Sequence, residues 1–279
     1  MSPEYKLPGF NITSSTQIVS PNTKLAMLLW AGSGMGKTRF AGGLNELTLK
    51  YDGRPTLYIP VEASEGGGAV TIRKFNVPMF VPKDLNDLTK VLGTLKNDKS
   101  FAGVVLDSAS EVVKQHVKPA ALKYPPRENV ATRQAGVPTR SDYQVMGEFT
   151  SQIFRQLLLM TTHEKPEYRK HIIVTATDKS IEEDEKIKWR GPELPGRMAT
   201  EAVAMFQIAA TIKAKAEVKD GKRSVGRYLV TSTDSVDAVK DRFELFPTES
   251  RIAYEVGKDE GESLLTLWEK YWLPAMKGV

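Results

Sequence analysis

The sequence predicts an α/β fold, a mainly parallel sheet covered by helices on both faces. Continuous apolar runs of strand length recur along the chain, and segments with apolar residues at helical spacing separate them. The 279 residues, 41% hydrophobic and 26% charged, are enough for a sizeable buried core and exclude a disordered, collagen-like or coiled-coil chain.

Lys24 to Trp30 (KLAMLLW) is a first strand, apolar throughout and therefore suited to burial on both faces. A glycine-rich turn follows, and from Lys37 the residues Phe40, Leu44 and Leu47 recur at helical spacing. Asp52-Gly53 and Pro55 end that helix before a second strand, Thr56 to Val61. Leu85, Leu88, Leu92 and Leu95 mark another helix, and Ala102 to Leu106 is a third strand ending at Asp107. A long helix around Val145 to Met160 leads to a fourth strand, Ile172 to Ala176. Beyond Phe206 the pattern changes: Ile208 to Val218 and Arg227 to Thr231 flank Asp220-Gly221 and predict a β-hairpin. Glu262 to Leu273 is a closing amphipathic helix, in which Trp268 and Trp272 read as core or subunit-interface residues. No repeat or Gly/Ser linker divides the chain. One domain over 1–279 is expected, with an N-terminal segment 1–20, C-terminal strands and hairpin over 206–260, and the closing helix over 261–279.

Composition excludes several kinds of chemistry. Zero cysteines remove disulfides, thiolate metal sites and cysteine nucleophiles, and His116, His163 and His171 lack metal-ligand spacing. No run approaches the roughly 18 apolar residues of a membrane span, and Met1 to Gln17 carries no basic region followed by an apolar one. A cytoplasmic protein without a membrane partner is expected. The net charge of +5 is mild, but it is concentrated: Val112 to Arg140 holds six basic residues (Lys114, Lys118, Lys123, Arg127, Arg133, Arg140) against the one acid Glu128.

Ala31-Gly32-Ser33-Gly34-Met35-Gly36-Lys37-Thr38 matches the phosphate-binding P-loop pattern with alanine at its first glycine. Glycines let successive backbone N–H groups curl around a polyphosphate, and the following helix turns its positive end toward it. Lys37 neutralises the terminal phosphates, Thr38 places a hydroxyl on Mg²⁺, and Arg39 continues the segment. The predicted ligands are ATP and Mg²⁺. Asp107, at the end of an apolar strand, is the expected second metal-site oxygen ligand. Position 108 is serine rather than glutamate, so a general base must come from elsewhere. Glu62, at the end of the second strand, is the better candidate because parallel strands deliver their C-terminal ends to one edge; Glu65, before Gly66-Gly67-Gly68, is the alternative.

Together the P-loop, IPVEAS, VVLDSAS, IIVTATDK and Val239-Lys240-Asp241-Arg242 resemble the RecA-like ATPases over about Leu25 to Tyr254. Trp189 to Arg197 (WRGPELPGR), the hairpin and Lys240-Asp241-Arg242 are most similar to compact phage nucleotide-binding proteins, including single-strand annealing recombinases of the Sak-four type. The resemblance implies an ATPase with Lys37, Asp107 and Glu62 in catalytic roles, and Lys240 and Arg242 as fingers reaching the phosphates of a neighbouring protomer. It also implies a homo-oligomer, ring or filament, acting in the host cytoplasm if phage-encoded. The fourth strand, read as ending Thr175-Ala176-Thr177-Asp178, lacks the glutamine with which such recombinases sense the γ-phosphate; the Thr177 hydroxyl is offered in its place.

In the family resembled, DNA lies on loops matching Lys123 to Tyr143 and Lys179 to Met198 here. The first suits single-stranded DNA, since Lys123, Arg127, Arg133 and Arg140 alternate with Tyr124 and Tyr143, charge for phosphates and rings for bases. In the second, Glu182 to Glu185 repel phosphate, leaving Lys188 and Arg190 as the expected contacts. The function expected is ATP-dependent binding and annealing of single-stranded DNA in phage-type homologous recombination, with a single-strand binding protein as a further partner. The alternative is a nucleotide-switched assembly or loading protein acting on a protein partner.

Overall fold

The computed structural model describes residues 23–61, 69–123, 137–219, 222–232, 236–253 and 261–277. Its centre is β1 (Ala26–Ala31), six residues all buried, as an apolar run with no polar face requires. On one side β1 pairs in parallel with β4 (His171–Glu183), and on the other with β6 (Ile208–Lys219). Beyond β4 lie β3 (Gly103–Asp107) and then β2 (Thr56–Pro60), both parallel. Beyond β6 the sheet turns antiparallel through β7 (Lys222–Val230) and β9 (Glu249–Ile252), giving the order β2-β3-β4-β1-β6-β7-β9. Two further strands branch off this path: β5 (Lys186–Pro192) on β4 and β8 (Lys240–Asp241) on β6.

Helices cover both faces. Side chains alternate along each strand, so Leu28, Ile59, Leu106 and Val174 meet one helical layer, whereas Met27, Tyr58, Val105 and Ile173 meet the other. The first layer holds α3 (Leu85–Leu95), α4 (residues 109–122) and α5 (Arg140–Leu159). Helix α4 is a continuous rod built from Ala109–Val112, a π-helical stretch Val113–Val117, and Lys118–Leu122. The second layer holds α1 (Lys37–Gly42), α2 (Leu44–Asp52) and the C-terminal helix, Leu264–Leu267 continued through Trp268–Trp272. This is the α/β architecture that the sequence predicts, a mainly parallel sheet covered by helices on both faces.

Several local expectations change. The helix after the glycine-rich turn is broken into α1 and α2 at Gly42-Gly43. Helix α5 starts at Arg140, not near Val145, because Thr139 and Asp142 form a reciprocal capping box; Arg140 and Tyr143 are therefore on a helix, not in a loop. The fourth strand does not end near Asp178 but continues to Glu183 and folds back as β5, so most of the expected loop Lys179 to Met198 is a hairpin. Asp184 and Glu185, at φ +51° and +59°, make its two-residue turn. Without the usual Asn-Gly or Asp-Gly signature, this turn was not legible. Trp268 and Trp272 are both buried and stack at 4.9 Å, which makes them core residues. Asp220 and Gly221 lie outside the described residues. Among the described residues, no helix is long and apolar enough to cross a membrane.

Candidate phosphate-binding site

Strand β1 ends at Ala31 and α1 begins at Lys37, so Gly32 to Gly36 connect them as a short loop at the sheet edge. Gly34 and Gly36 have φ of +72° and +98°, where a side chain would be strained. Ala31 is the last, buried residue of β1, which explains why alanine serves at the motif's first position. A Cβ on Gly32 would come within 3.6 Å of the Asp178 carboxylate, so β4 runs close beside the loop. Ser33 is exposed, and Met35, Thr38 and Arg39 are half-buried.

Lys37 is buried, and its ammonium donates to the carbonyl oxygens of Ala31 at 2.7 Å and Gly32 at 2.9 Å. Burial lowers its pKa, opposed by the charges of Asp107 and Asp178. The lysine thus sits inside the loop with its charge held by groups that a phosphate oxygen can replace. Its neighbour Thr38 turns the other way: the Thr38 hydroxyl donates to Asp107 Oδ2 at 2.7 Å. Asp107 also accepts from the hydroxyls of Tyr58 on β2 and Thr175 on β4. One carboxylate is therefore fixed by three hydroxyl donors from three elements. The oxygen donors of Thr38 and Asp107 suit a hard divalent cation such as Mg²⁺, which takes few protein ligands and completes its shell with phosphate and water oxygens.

Thr177 does not stand free to meet a phosphate. Its hydroxyl donates to Glu193 Oε2 at 2.6 Å, and its N–H donates to Ser110 Oγ at 3.0 Å. Glu193 also pairs with Lys114 at 2.9 Å, so the strand, the end of the hairpin and the helix after Asp107 are tied in one network. Glu62, Glu65 and the glycines after them lie outside the described residues. The chain enters that segment at the site edge, with Val61 N–H donating to the Asp107 carbonyl at 2.6 Å.

Lys240 and Arg242 lie away from the loop of their own chain. The Lys240 ammonium and the Arg242 guanidinium both donate to the Ala204 carbonyl, at 2.8 and 2.9 Å, in the last turn of α6 (Met198–Met205). Burial and the neighbouring Arg242 charge lower the Lys240 pKa to about 8. Of the basic residues expected to meet DNA, Lys123 and Arg140 are exposed, whereas Arg127 and Arg133 lie outside the described residues. Lys188 lies 3.8 Å from Glu183 across the hairpin, and Arg190 lies 4.0 Å from the buried Asp237. A groove of about 760 Å³ between α5 and the start of α6 is lined by Arg140, Tyr143 and Arg197, and also by the acidic Glu148 and Glu201. It brings together the ends of the two stretches expected to meet DNA.

Tyr58, Thr175, Asp178 and Glu193 were not legible as site residues. A clue existed for the first two: each is a hydroxyl in a buried stretch of strand, where it must find a partner. Among the described residues, no group of three or more His, Asp or Glu side chains could hold a metal ion by itself.

No protein-family model and no curated protein matches the sequence. Solved structures similar to it include a KaiC-like protein from the hyperthermophilic archaeon Pyrococcus horikoshii OT3, at 14% identity and a TM-score of 0.41, covering 75% of this chain and 77% of that one. Another is the flagellar accessory protein FlaH from Methanocaldococcus jannaschii, at 12% identity and a TM-score of 0.42, covering 85% and 87%.

Proposed function

We propose that this chain binds Mg·ATP in the Gly32–Thr38 loop, hydrolyses it, and couples nucleotide state to binding and annealing of single-stranded DNA in phage-type recombination. The observation that carries the nucleotide reading is the divergence of two adjacent residues: Lys37 points into the loop while Thr38 reaches Asp107. On ATP binding, Lys37 exchanges the Ala31 and Gly32 carbonyls for phosphate oxygens. Thr38 and Asp107 would hold the magnesium, which supplies charge neutralisation at the phosphates. Glu62, or Glu65 in its place, takes a proton from the water whose oxygen attacks the γ-phosphorus as the bond to ADP breaks. Lys240 and Arg242 act on the nucleotide of a neighbouring protomer after leaving Ala204.

Support for DNA comes from the charge of the Val112 to Arg140 stretch and from the groove carrying Arg140, Tyr143 and Arg197. Measuring ATP hydrolysis with and without single-stranded DNA tests the reading. Stimulation together with direct strand binding supports it; hydrolysis indifferent to DNA, with no strand binding, moves it to the assembly switch. One observation favours that second reading. Along β6 and β7, the exposed side chains of Ala214, Ala216, Val218 and Val225 form an apolar surface of the kind that protein partners cover.

A further inference from the structure

A second cavity, of about 450 Å³, lies between α3, α4 and α5, in the helical layer opposite the one that carries α1 and α2. Its walls are Leu85, Pro119, Phe149 and Ile153. Set among them is His116, nine-tenths buried, whose Nε2 has no hydrogen-bond partner. A buried polar atom left without a partner is unfavourable unless something completes it. The residue sits in the π-helical stretch Val113–Val117 of α4, a conformation that is uncommon and recurs at functional sites. Burial lowers the imidazole pKa, opposed by a backbone contact at Gln115 and the charge of Asp84, so at neutral pH the ring is uncharged.

The polarity of the cavity identifies what fits it. Asn86, Gln115 and Gln152 add carboxamides to the lining, supplying donors and acceptors together. The charged groups lie at the exposed edge: Lys83 and Lys123, neither of which forms an ion pair among the described residues, and Asp84, whose carboxylate accepts the Asp87 N–H at 2.8 Å. An organic acid would need its countercharge inside. A planar heterocycle with mixed donors and acceptors, carrying its negative charge at one end, needs hydrogen-bonding groups within and ammonium groups at the exposed edge. We propose that this cavity holds one nucleobase hydrogen-bonded to His116 Nε2, with its phosphate beside Lys83 and Lys123. The base comes either from the single strand of the proposed function or from a free mononucleotide. Lys123 opens the basic stretch assigned to DNA, so the first source rests on that reading and the second does not.

The test uses the full chain labelled with ¹⁵N histidine, assigned with a His116→Gln variant, and follows the His116 ring nitrogens. His163 and His171 serve as internal controls. Strand binding is measured separately by fluorescence anisotropy. A saturable His116 shift on adding a deoxyoligonucleotide, lost with an abasic oligonucleotide that still binds, supports the proposal with the strand as source. A shift with deoxynucleoside monophosphates while no strand binds supports the pocket and overturns the DNA reading. Strand binding with His116 unmoved by strand and monophosphate alike overturns the pocket and leaves the DNA reading standing. His116→Gln should weaken the interaction that shifts the ring by about tenfold, the value of one buried hydrogen bond. Replacing Lys83 and Lys123 with alanine should flatten the salt dependence of strand affinity by about 0.7 per lost contact. An unchanged affinity and slope in both variants would also overturn it.

Discussion

Thr38 Oγ1 and Asp107 Oδ2 meet at 2.7 Å although they belong to elements separated by a whole strand: α1 follows β1, Asp107 ends β3, and β4 lies between. That intervening strand contributes Thr175 to the same carboxylate, and β2 contributes Tyr58. The oxygen pair proposed to hold the magnesium is therefore positioned by the order of the sheet.

Lys37→Ala should leave the fold intact and weaken ATP binding by about 10- to 100-fold, the loss of one or more charge-assisted hydrogen bonds. Calorimetric titration reads this directly, and unaltered affinity would remove the loop from nucleotide binding. Glu62→Gln should keep binding but slow hydrolysis by about 100-fold or more. The same defect from Glu65→Gln instead would move the base by three residues.

Tyr58→Phe and Thr175→Val each remove one hydroxyl from Asp107 while keeping volume and burial. Each should cost about 1 kcal/mol in urea unfolding. Their more specific effect should be a higher Mg²⁺ concentration for half-maximal nucleotide binding, because the carboxylate loses its orientation. A stability loss without any change in Mg²⁺ dependence would make the two hydroxyls purely structural.

Lys240→Ala and Arg242→Ala should each destabilise the chain slightly, by less than about 1 kcal/mol, since either residue alone still satisfies Ala204 at the end of α6. The trans role makes a separate prediction. Mixing an Arg242→Ala chain with a Glu62→Gln chain should restore part of the hydrolysis, because some interfaces then combine an intact Glu62 with an intact Arg242. No recovery in demonstrated mixed oligomers would confine both residues to the helix end.

His171, fully buried, accepts the Leu25 N–H at 3.1 Å and lies 3.3 Å from Asp52, which also pairs with Lys24. Burial depresses the His171 pKa to about 4, so on acidification the unfolded chain takes the proton first, from about pH 6.5. Stability should be full above that pH and fall by on the order of 3 kcal/mol toward pH 4. At Asp52, burial is outweighed by His171 and Lys24 and the carboxyl falls to about 2, so its share is lost only between about pH 4 and 2. Urea midpoints at pH 7 and 5 should differ in the wild type, and His171→Asn should narrow the difference.

Replacing Arg127, Arg133 and Arg140 together by alanine should weaken single-strand binding, flatten the slope of log affinity against log salt by about 2, and leave basal ATP hydrolysis unchanged. An unchanged slope would make this stretch a solvated surface and favour the assembly switch.

Much of the sheet is legible in the sequence, because β1, β2, β3 and the first half of β4 are buried and their apolar runs admit no other placement. The glycine loop was legible for a similar reason: Gly34 and Gly36 occupy left-handed backbone, a requirement written in the residue type. Extensions beyond the buried edge left a weaker trace. The outer half of β4 is exposed from Asp178 to Glu183, β5 is exposed or half-buried up to its buried end at Gly191 and Pro192, and an acidic pair makes their turn, so a hairpin read as a charged loop. The start of α5 was hidden because a capping box, not an apolar residue, fixes it. What only the tertiary structure decided are pairings between distant segments: Tyr58 and Thr175 on Asp107, Thr177 on Glu193, Lys240 and Arg242 on Ala204. Periodicity fixes which face of an element is apolar, but a polar side chain's partner depends on the strand order, and strand order is settled by how the layers pack.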